Sequence, residues 1–202
     1  MVTCKYPKNK TIILEGDQVD TIFYIRSGII KLIQSYQDGK VQILNILGKS
    51  DYFGEVPAFD QIPSPYSAIT MVPSEISFVS VANFEDWRII PDLCIKLRDS
   101  WIHLALLRTL NTEERVYRTI LLLISKFGIE DGDNILLSYK FTIEDLAFYI
   151  GLSRETVNKI IIQLLDSGKI KKQGKMYSIN RSFLPLKMTK NEPFSLLKSI
   201  TI

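Results

Sequence analysis

The chain has 202 residues, 46% of them hydrophobic, and a formal net charge of +3 at pH 7, so it can fill a core in each of two modest domains. Its two cysteines exclude a disulfide framework and a four-thiolate iron–sulfur cluster. No apolar stretch follows the first N-terminal charges, so no secretory leader is expected and the location is expected to be cytoplasmic.

Taken in chain order, the first half reads as short strands. Ile12, Ile13 and Leu14 precede Glu15-Gly16-Asp17, and a β-rich run from Ile22 to Ile33 is broken by Gly28, which predicts antiparallel strands joined by glycine turns. Asp38-Gly39, between Lys31–Tyr36 and Val41–Leu47, marks a hairpin because this dipeptide suits a turn with positive φ. With Gly48 and Gly54 as further punctuation, residues 1–90 are expected to form a small barrel or jelly roll. Cys4 falls in a terminus expected to be mobile. The chain begins almost at the first expected strand, so no additional N-terminal segment is expected.

Residues 91–111 have long-helix character. Leu93, Leu97, Trp101, Leu104 and Leu107 or Arg108 lie near heptad spacing, while Lys96, Arg98, Asp99 and Arg108 interrupt the apolar content and rule out a membrane span. Burial of the stripe against a second copy is the economical solution. Cys94 is expected to be a small buried residue here. His103 is the only histidine; haem would need an axial pair, so a packed or hydrogen-bonded role is expected.

Asn111-Thr112-Glu113-Glu114 reads as a hinge and helix restart, with Thr112 as cap and the acids at the positive helix end. The new helix carries Leu121–Ile124, and residues 130–134 read as a polar turn before a strand at Ile135–Tyr139.

A second helix starts at Thr142, with Asp145 adding charge to the first turn and Ile143, Leu146, Ala147 and Ile150 forming an apolar stripe. Gly151 stops it, since glycine enters a left-handed C-cap without steric cost. Ser153 caps a third helix that buries Val157, Ile160, Ile161, Leu164 and Leu165 and turns Glu155, Asn158, Lys159, Ile162 and Gln163 outward. Arg154 projects from its N-terminal end, the end that meets base edges in helix-turn-helix proteins. Lys169–Ile179 follows as a hairpin turning at Gln173-Gly174, with Lys171, Lys172 and Lys175 clustered for phosphate contact.

Such a helix pair fits a DNA groove, and equally an ordinary solvated pair. Charge distribution favours DNA. From Gly151 onward ten Lys+Arg stand against three Asp+Glu, a balance of +7, whereas the preceding 15 basic and 19 acidic residues give −4.

S-R-E-T-V-N-K at 153–159, with L-x-x-x-I-G before it and L-L-D-x-G-K-I after it, closely resembles the winged helix-turn-helix of the Crp/Fnr family of bacterial transcription regulators. E-G-D-x-x-D-x-x-F-Y-I-x-x-G-x-x-K at 15–31 and D-Y-F-G-E at 51–55 look like the cyclic-nucleotide-binding β-roll of the same family, and the resemblance runs from about Lys10 to Ile179. It implies an α+β chain: an N-terminal β-roll (double-stranded jelly roll) over 1–90, a dimerisation helix over 91–111 with Leu93, Leu97, Trp101 and Leu104 at the interface, a winged helix-turn-helix over 112–186 and a tail over 187–202.

The resemblance further implies a homodimer on a palindromic operator with half-sites about one helical turn, ~34 Å, apart, and RNA polymerase as a further partner. Arg154 would donate two hydrogen bonds to a guanine, Glu155 would accept from a cytosine amino group, and Lys159 would reach a base or phosphate, pairings these side chains are chemically suited to make. A family relative has arginine where Lys159 stands, and lysine lacks its planar fork. Thr142, Ser153, Thr156, Asn158 and the wing lysines would position the duplex.

The corresponding effector pocket would comprise Gly54, Glu55, Tyr66, Ser67, Ser100 and Trp101. Gly54-Glu55 and Ser67-Ala68 match the family's phosphate cassette, but Tyr66 occupies its arginine position and Trp101 stands where a small hydroxyl residue is expected. A neutral phenol cannot neutralise a phosphate, so cyclic AMP is not expected to bind in the family manner. A small-molecule effector of another kind, with Arg26, Arg88 or Arg98 as counter-charge, and a roll filled by Tyr66 and Trp101 in a constitutive regulator both remain open. No resident cofactor or metal is expected. Two readings from other classes are a cupin-type metalloenzyme, disfavoured because the roll has no histidine, and a small-molecule receptor that acts without DNA.

Overall fold

Alternation of apolar and polar residues folds the first part of the chain into two four-stranded antiparallel sheets. In one, β1 (Val2–Tyr6), β8 (Ser74–Ser80), β3 (Thr21–Ser27) and β6 (Tyr52–Phe53) lie in that order; in the other, β2 (Thr11–Ile13), β7 (Ser67–Thr70), β4 (Ile30–Ser35) and β5 (Val41–Leu47) do. Ile13, Ile25, Ile30, Leu32, Leu47, Phe53, Tyr66, Ala68 and Ile76 come from both sheets and pack into one buried core between them, as face-to-face sheets require. The computed structural model describes residues 2–109 and 111–183, so the expected tail over 187–202 lies outside the described residues. Two compact units divide between Lys96 and Leu97.

β1 was not expected from the sequence. Cys4 sits in it opposite Ile76 of β8, so the expectation of a mobile terminus around Cys4 is corrected. The expected hairpin pairs Ile30–Ser35 with Val41–Leu47 through a bulge between Leu32 and Ile33, with Gly39 at φ 79° in the turn.

The roll carries a short helix, α1 (Glu55–Asp60), and leads into α2 (Ile89–Thr109). Pro91 is tolerated in the first turn of α2, where no intrahelical donor is lost. Two expectations for this helix change. Leu93 turns inward, against the buried cluster of Ile22, Tyr52, Ala58 and Ile89, and Cys94 is exposed rather than buried.

In the second unit, α3 (Thr112–Phe127) is capped by Asn111, whose side chain accepts from the Glu114 amide at 2.9 Å; the cap is therefore Asn111 and not Thr112. The segment after α3 is a hairpin of β9 (Gly128–Asp131) and β10 (Asn134–Leu137), so a strand stands where only the polar turn was expected. Then follow α4 (Ile143–Ile150), α5 (Arg154–Asp166), β11 (Lys171–Gln173) and β12 (Met176–Asn180), and the four strands make one antiparallel sheet in the order β11-β12-β10-β9. Val116, Ile120 and Ile124 of α3, Leu146 and Ile150 of α4, and Val157, Ile161 and Leu164 of α5 are all buried.

Candidate nucleic-acid interface

Local chemistry sets the two helices of the motif. The Thr142 hydroxyl accepts from the Asp145 amide at 3.0 Å while the Asp145 carboxylate accepts from the Thr142 hydroxyl at 2.7 Å and from its amide, a reciprocal capping box. Gly151 ends α4 at φ 73°, ψ 40°, and the amides of Gly151 and Leu152 both reach back to the Ala147 carbonyl. A side chain at that left-handed position would be strained. Two residues later Ser153 restarts the helix, its hydroxyl accepting from the Thr156 amide at 3.2 Å and sharing a hydrogen bond with the Thr156 hydroxyl at 2.9 Å. The side chains of Thr142 and Ser153 therefore first serve the backbone, a role legible in the sequence, while the Thr156 hydroxyl bonds that of Ser153.

Burial then sorts α5 into two faces. Val157, Ile160, Ile161 and Leu164 are inside; Arg154, Glu155, Asn158, Lys159, Ile162, Gln163 and Asp166 are exposed. Arg154, Glu155, Asn158 and Lys159 have no hydrogen-bond or ion-pair partner among the described residues, so their polar groups are free for an external partner. Their alignment on one arc presents a bidentate donor, an acceptor, an amide and an ammonium together, the groups that discriminate base edges.

The wing differs in detail from its expected form. Gln173 pairs with Met176, so Gly174 and Lys175 make the turn, with Gly174 at φ 61°. Lys171 and Lys172 are adjacent on β11, where neighbouring side chains alternate in direction, and Lys171, Lys172 and Lys175 are all exposed. Two other cations are neutralised nearby, Lys169 by Glu113 at 3.0 Å and Arg181 by Glu130 at 2.9 Å. These exposed pairs span 56 and 51 residues and left no sequence signal.

Four of the candidate pocket residues come together in the β-roll. Gly54, at φ 83°, lies so close to the Thr21 carbonyl and the Phe23 ring that an added Cβ would stand 2.6 and 2.8 Å from them. Its amide donates to the Tyr66 hydroxyl at 3.0 Å. Tyr66 belongs to the core between the sheets, and burial, helped by the Glu55 charge, raises its phenol above the ordinary value. The Ser67 hydroxyl is buried and accepts from the Glu15 amide at 2.9 Å.

Glu55 itself is held by Lys96, which in the sequence stands only as an interruption of the apolar content of α2. The Lys96 ammonium, on a side chain 14% exposed, lies 3.1 Å from Glu55 and 2.8 Å from Asp92, and it also donates to the Tyr52 carbonyl. Burial raises the Asp92 carboxyl despite the opposing pull of Lys96. The i, i+4 spacing of Asp92 and Lys96 was a legible signal; the link to Glu55 was not.

Ser100 and Trp101 lie in the second unit and are exposed, so Trp101 is not the buried aromatic that was expected. Of the suggested counter-charges, Arg26 donates to the Ser77 hydroxyl at 2.8 Å and stacks over Tyr24, Arg88 pairs with Asp86 at the surface, and Arg98 belongs to the second unit.

Along α2, Ile90, Leu97, Trp101 and Leu104 are 49%, 51%, 57% and 48% exposed, and Cys94 and Arg108 are exposed with them. Positions 90, 94, 97, 101, 104 and 108 step by four and three alternately, the seam of a coiled coil. Among the described residues no helix is long and apolar enough to cross a membrane.

Residues 3–88 match the family model of the cyclic nucleotide-binding domain, and residues 114–184 that of the Crp-like helix-turn-helix domain. A CRP-like cAMP-activated global transcriptional regulator of Mycobacterium tuberculosis is 31% identical over 188 residues, covering 88% of this chain and 83% of the relative. The cAMP-activated global transcriptional regulator CRP of Pasteurella multocida is 29% identical over 85% of this chain and 86% of its own. Among solved structures, a CRP-family transcriptional regulator of Thermus thermophilus matches with a TM-score of 0.78 at 20% identity over 97% of both chains. The c-di-GMP responsive global regulator CLP of Xanthomonas campestris matches with a TM-score of 0.75 at 19% identity, over 89% of this chain and 93% of its own.

Proposed function

The chain belongs to the Crp/Fnr family of transcription regulators, DNA-binding proteins rather than enzymes, and from that premise we propose that it acts as a homodimer on a palindromic operator without cyclic AMP as its activator. The exposed four-three seam of α2 carries the dimer reading: Ile90, Leu97, Trp101 and Leu104 expose apolar surface that a second copy of the same helix would cover. Two α5 helices related by a two-fold axis would then enter successive major grooves, with Arg154, Glu155 and Lys159 on base edges and Lys171, Lys172 and Lys175 on phosphates. Contact with RNA polymerase belongs to the same reading.

The two curated relatives above are cAMP-activated by name. Tyr66 supports a different control here. Its hydroxyl satisfies the Gly54 amide and Lys96 pairs with one Glu55 oxygen, while the other Glu55 oxygen is buried without a hydrogen-bond partner among the described residues; no arginine stands at Tyr66 to balance a phosphate. The roll then transmits either no signal or one from an effector other than cyclic AMP.

Selection of DNA from a random duplex library by the full-length protein tests the reading. The expected product is an inverted repeat with half-site centres about 34 Å apart, bound equally well with and without cyclic AMP. A single unrepeated site, or enrichment that needs cyclic AMP, would contradict it.

A further inference from the structure

α5 leaves one large apolar side chain exposed, and it is not at the margin of the polar face. Ile162 is 49% exposed, with Val157, Ile160, Ile161 and Leu164 buried on the far side. At about 100° per residue, the exposed residues run over roughly half a turn, from Arg154 at one edge to Gln163 at the other. On that wheel Ile162 sits close to the midline, about 20° from Glu155 and about 40° from Asn158. Glu155, Lys159 and Asn158 precede it by seven, three and four residues on the same arc. The exposed arc of α5 therefore carries a hydrocarbon close to its midline, between Asn158 on one side and Lys159 and Asp166 on the other.

We infer that Ile162 reads the 5-methyl group of a thymine in each half-site, an assignment that rests on the proposed entry of α5 into the major groove. An isoleucine has no donor or acceptor, so it can neither hold a phosphate on a groove wall nor bond a base edge. The apolar group that the groove floor offers is the thymine methyl, and the midline of the helix is the line that faces the floor. Arg154, Glu155 and Lys159 are suited to polar edges; Ile162 adds discrimination of thymine from cytosine, and of thymine from uracil.

Geometry also fixes where that thymine lies. Glu155 and Ile162 are seven residues apart, about 10 Å along α5, and base pairs are about 3.4 Å apart along the duplex axis. Allowing for the slant of the groove, the methyl falls two to three base pairs from the pair read by Glu155, in the direction of the α5 C-terminus.

The test uses the operator selected by the full-length protein, with each thymine replaced in turn by uracil, which removes the methyl and nothing else. One thymine per half-site, at the stated offset from the pair whose preference is lost in Glu155→Gln, is expected to lose about fourfold in affinity on substitution, the worth of one buried methyl group. In Ile162→Ser that same replacement is expected to cost nothing, while the other positions keep the parent's preferences; thermal melting checks that the exposed substitution leaves the fold intact. If no thymine is methyl-sensitive, or if the sensitive one remains so in Ile162→Ser, the assignment to Ile162 is wrong although the operator stands. A protein that enriches no sequence overturns both this assignment and the operator reading.

Discussion

The Gly54 amide donates to the Tyr66 hydroxyl at 3.0 Å, joining the start of α1 to the core between the two sheets. An amide that an anion could otherwise occupy is thus given a neutral, buried acceptor from the chain itself.

Removing that acceptor isolates its effect. Tyr66→Phe keeps the ring in the core and leaves the Gly54 amide without its hydroxyl partner, a loss of about 1–3 kcal/mol for a buried donor. Chemical denaturation of the variant is expected to show a lower midpoint with an unchanged slope. A midpoint equal to the parent's would mean that water replaces the hydroxyl.

Lys96 holds two buried carboxylates, Glu55 at 3.1 Å and Asp92 at 2.8 Å. Lys96→Met leaves both without their cation, and breaking a buried pair from one side costs about 3–5 kcal/mol. Adding Glu55→Gln and Asp92→Asn to Lys96→Met is expected to recover part of that loss, because the uncompensated charges are then gone. Equal stability of single and triple variants would show that the ammonium's stem, not its charge, matters.

How far the sequence reveals this molecule follows from the range of the interactions involved. The helix-turn-helix is legible because its causes lie within four residues: Thr142 with Asp145, Gly151 at the C-cap, Ser153 with Thr156. β1 is hard to read because its pairing is remote, Cys4 opposite Ile76, and the β-forming Val2, Thr3 and Tyr6 make only a five-residue run with no turn signal before it. The α2 seam is half legible. Its spacing is written in the sequence, but its phase depends on which side the roll covers, and Leu93 proves to be the covered residue while Ile90 and Cys94 join the exposed row. Lys96 reads as an interruption because its partner Glu55 is 41 residues away.

His103 of α2 stacks on Tyr149 of α4 with ring centroids 4.4 Å apart, and neither ring nitrogen has a hydrogen-bond partner of good geometry among the described residues. Burial depresses its basicity, with the Tyr149 backbone pulling weakly the other way. The folded state therefore favours neutral imidazole. Stability from this group is present above the unfolded value of about 6.5 and is lost as pH falls from there through the lower folded value. Thermal melts at pH 7.5 and 5.5 are expected to differ more for the parent than for His103→Gln. An equal difference would place the acid sensitivity in carboxylates such as Asp99, whose charge also acts on Tyr149.

Cys94 lies in the exposed row of α2 four residues after Ile90 and three before Leu97, which is a core position of a two-stranded seam. In a parallel, two-fold symmetric pair the two Cys94 residues face each other, within the short Cα separation that a disulfide spans. A mild thiol oxidant is expected to convert most of the protein to a covalent dimer on a non-reducing gel, in Cys4→Ser as in the parent and not in Cys94→Ser. Crosslinking through Cys4 would put the contact between copies on the β-roll.

Arg154 and Lys172 are both exposed cations of the second unit, and they are expected to fail in different ways. Arg154 starts α5 beside Glu155, where a planar fork can meet a guanine edge; Arg154→Ala should cost about 1–3 kcal/mol at one base pair and relax the preference there. Lys172 is on β11, an edge strand of the wing sheet, and offers a point charge. Lys172→Ala should weaken every duplex alike and reduce the slope of affinity against salt by about one ion. Affinities for the selected operator and for a scrambled duplex, measured across salt concentrations, separate the two. If Arg154→Ala keeps the parent's ratio of specific to non-specific binding, α5 does not read sequence through that residue, and the groove-facing arc must be redrawn around Glu155 and Asn158.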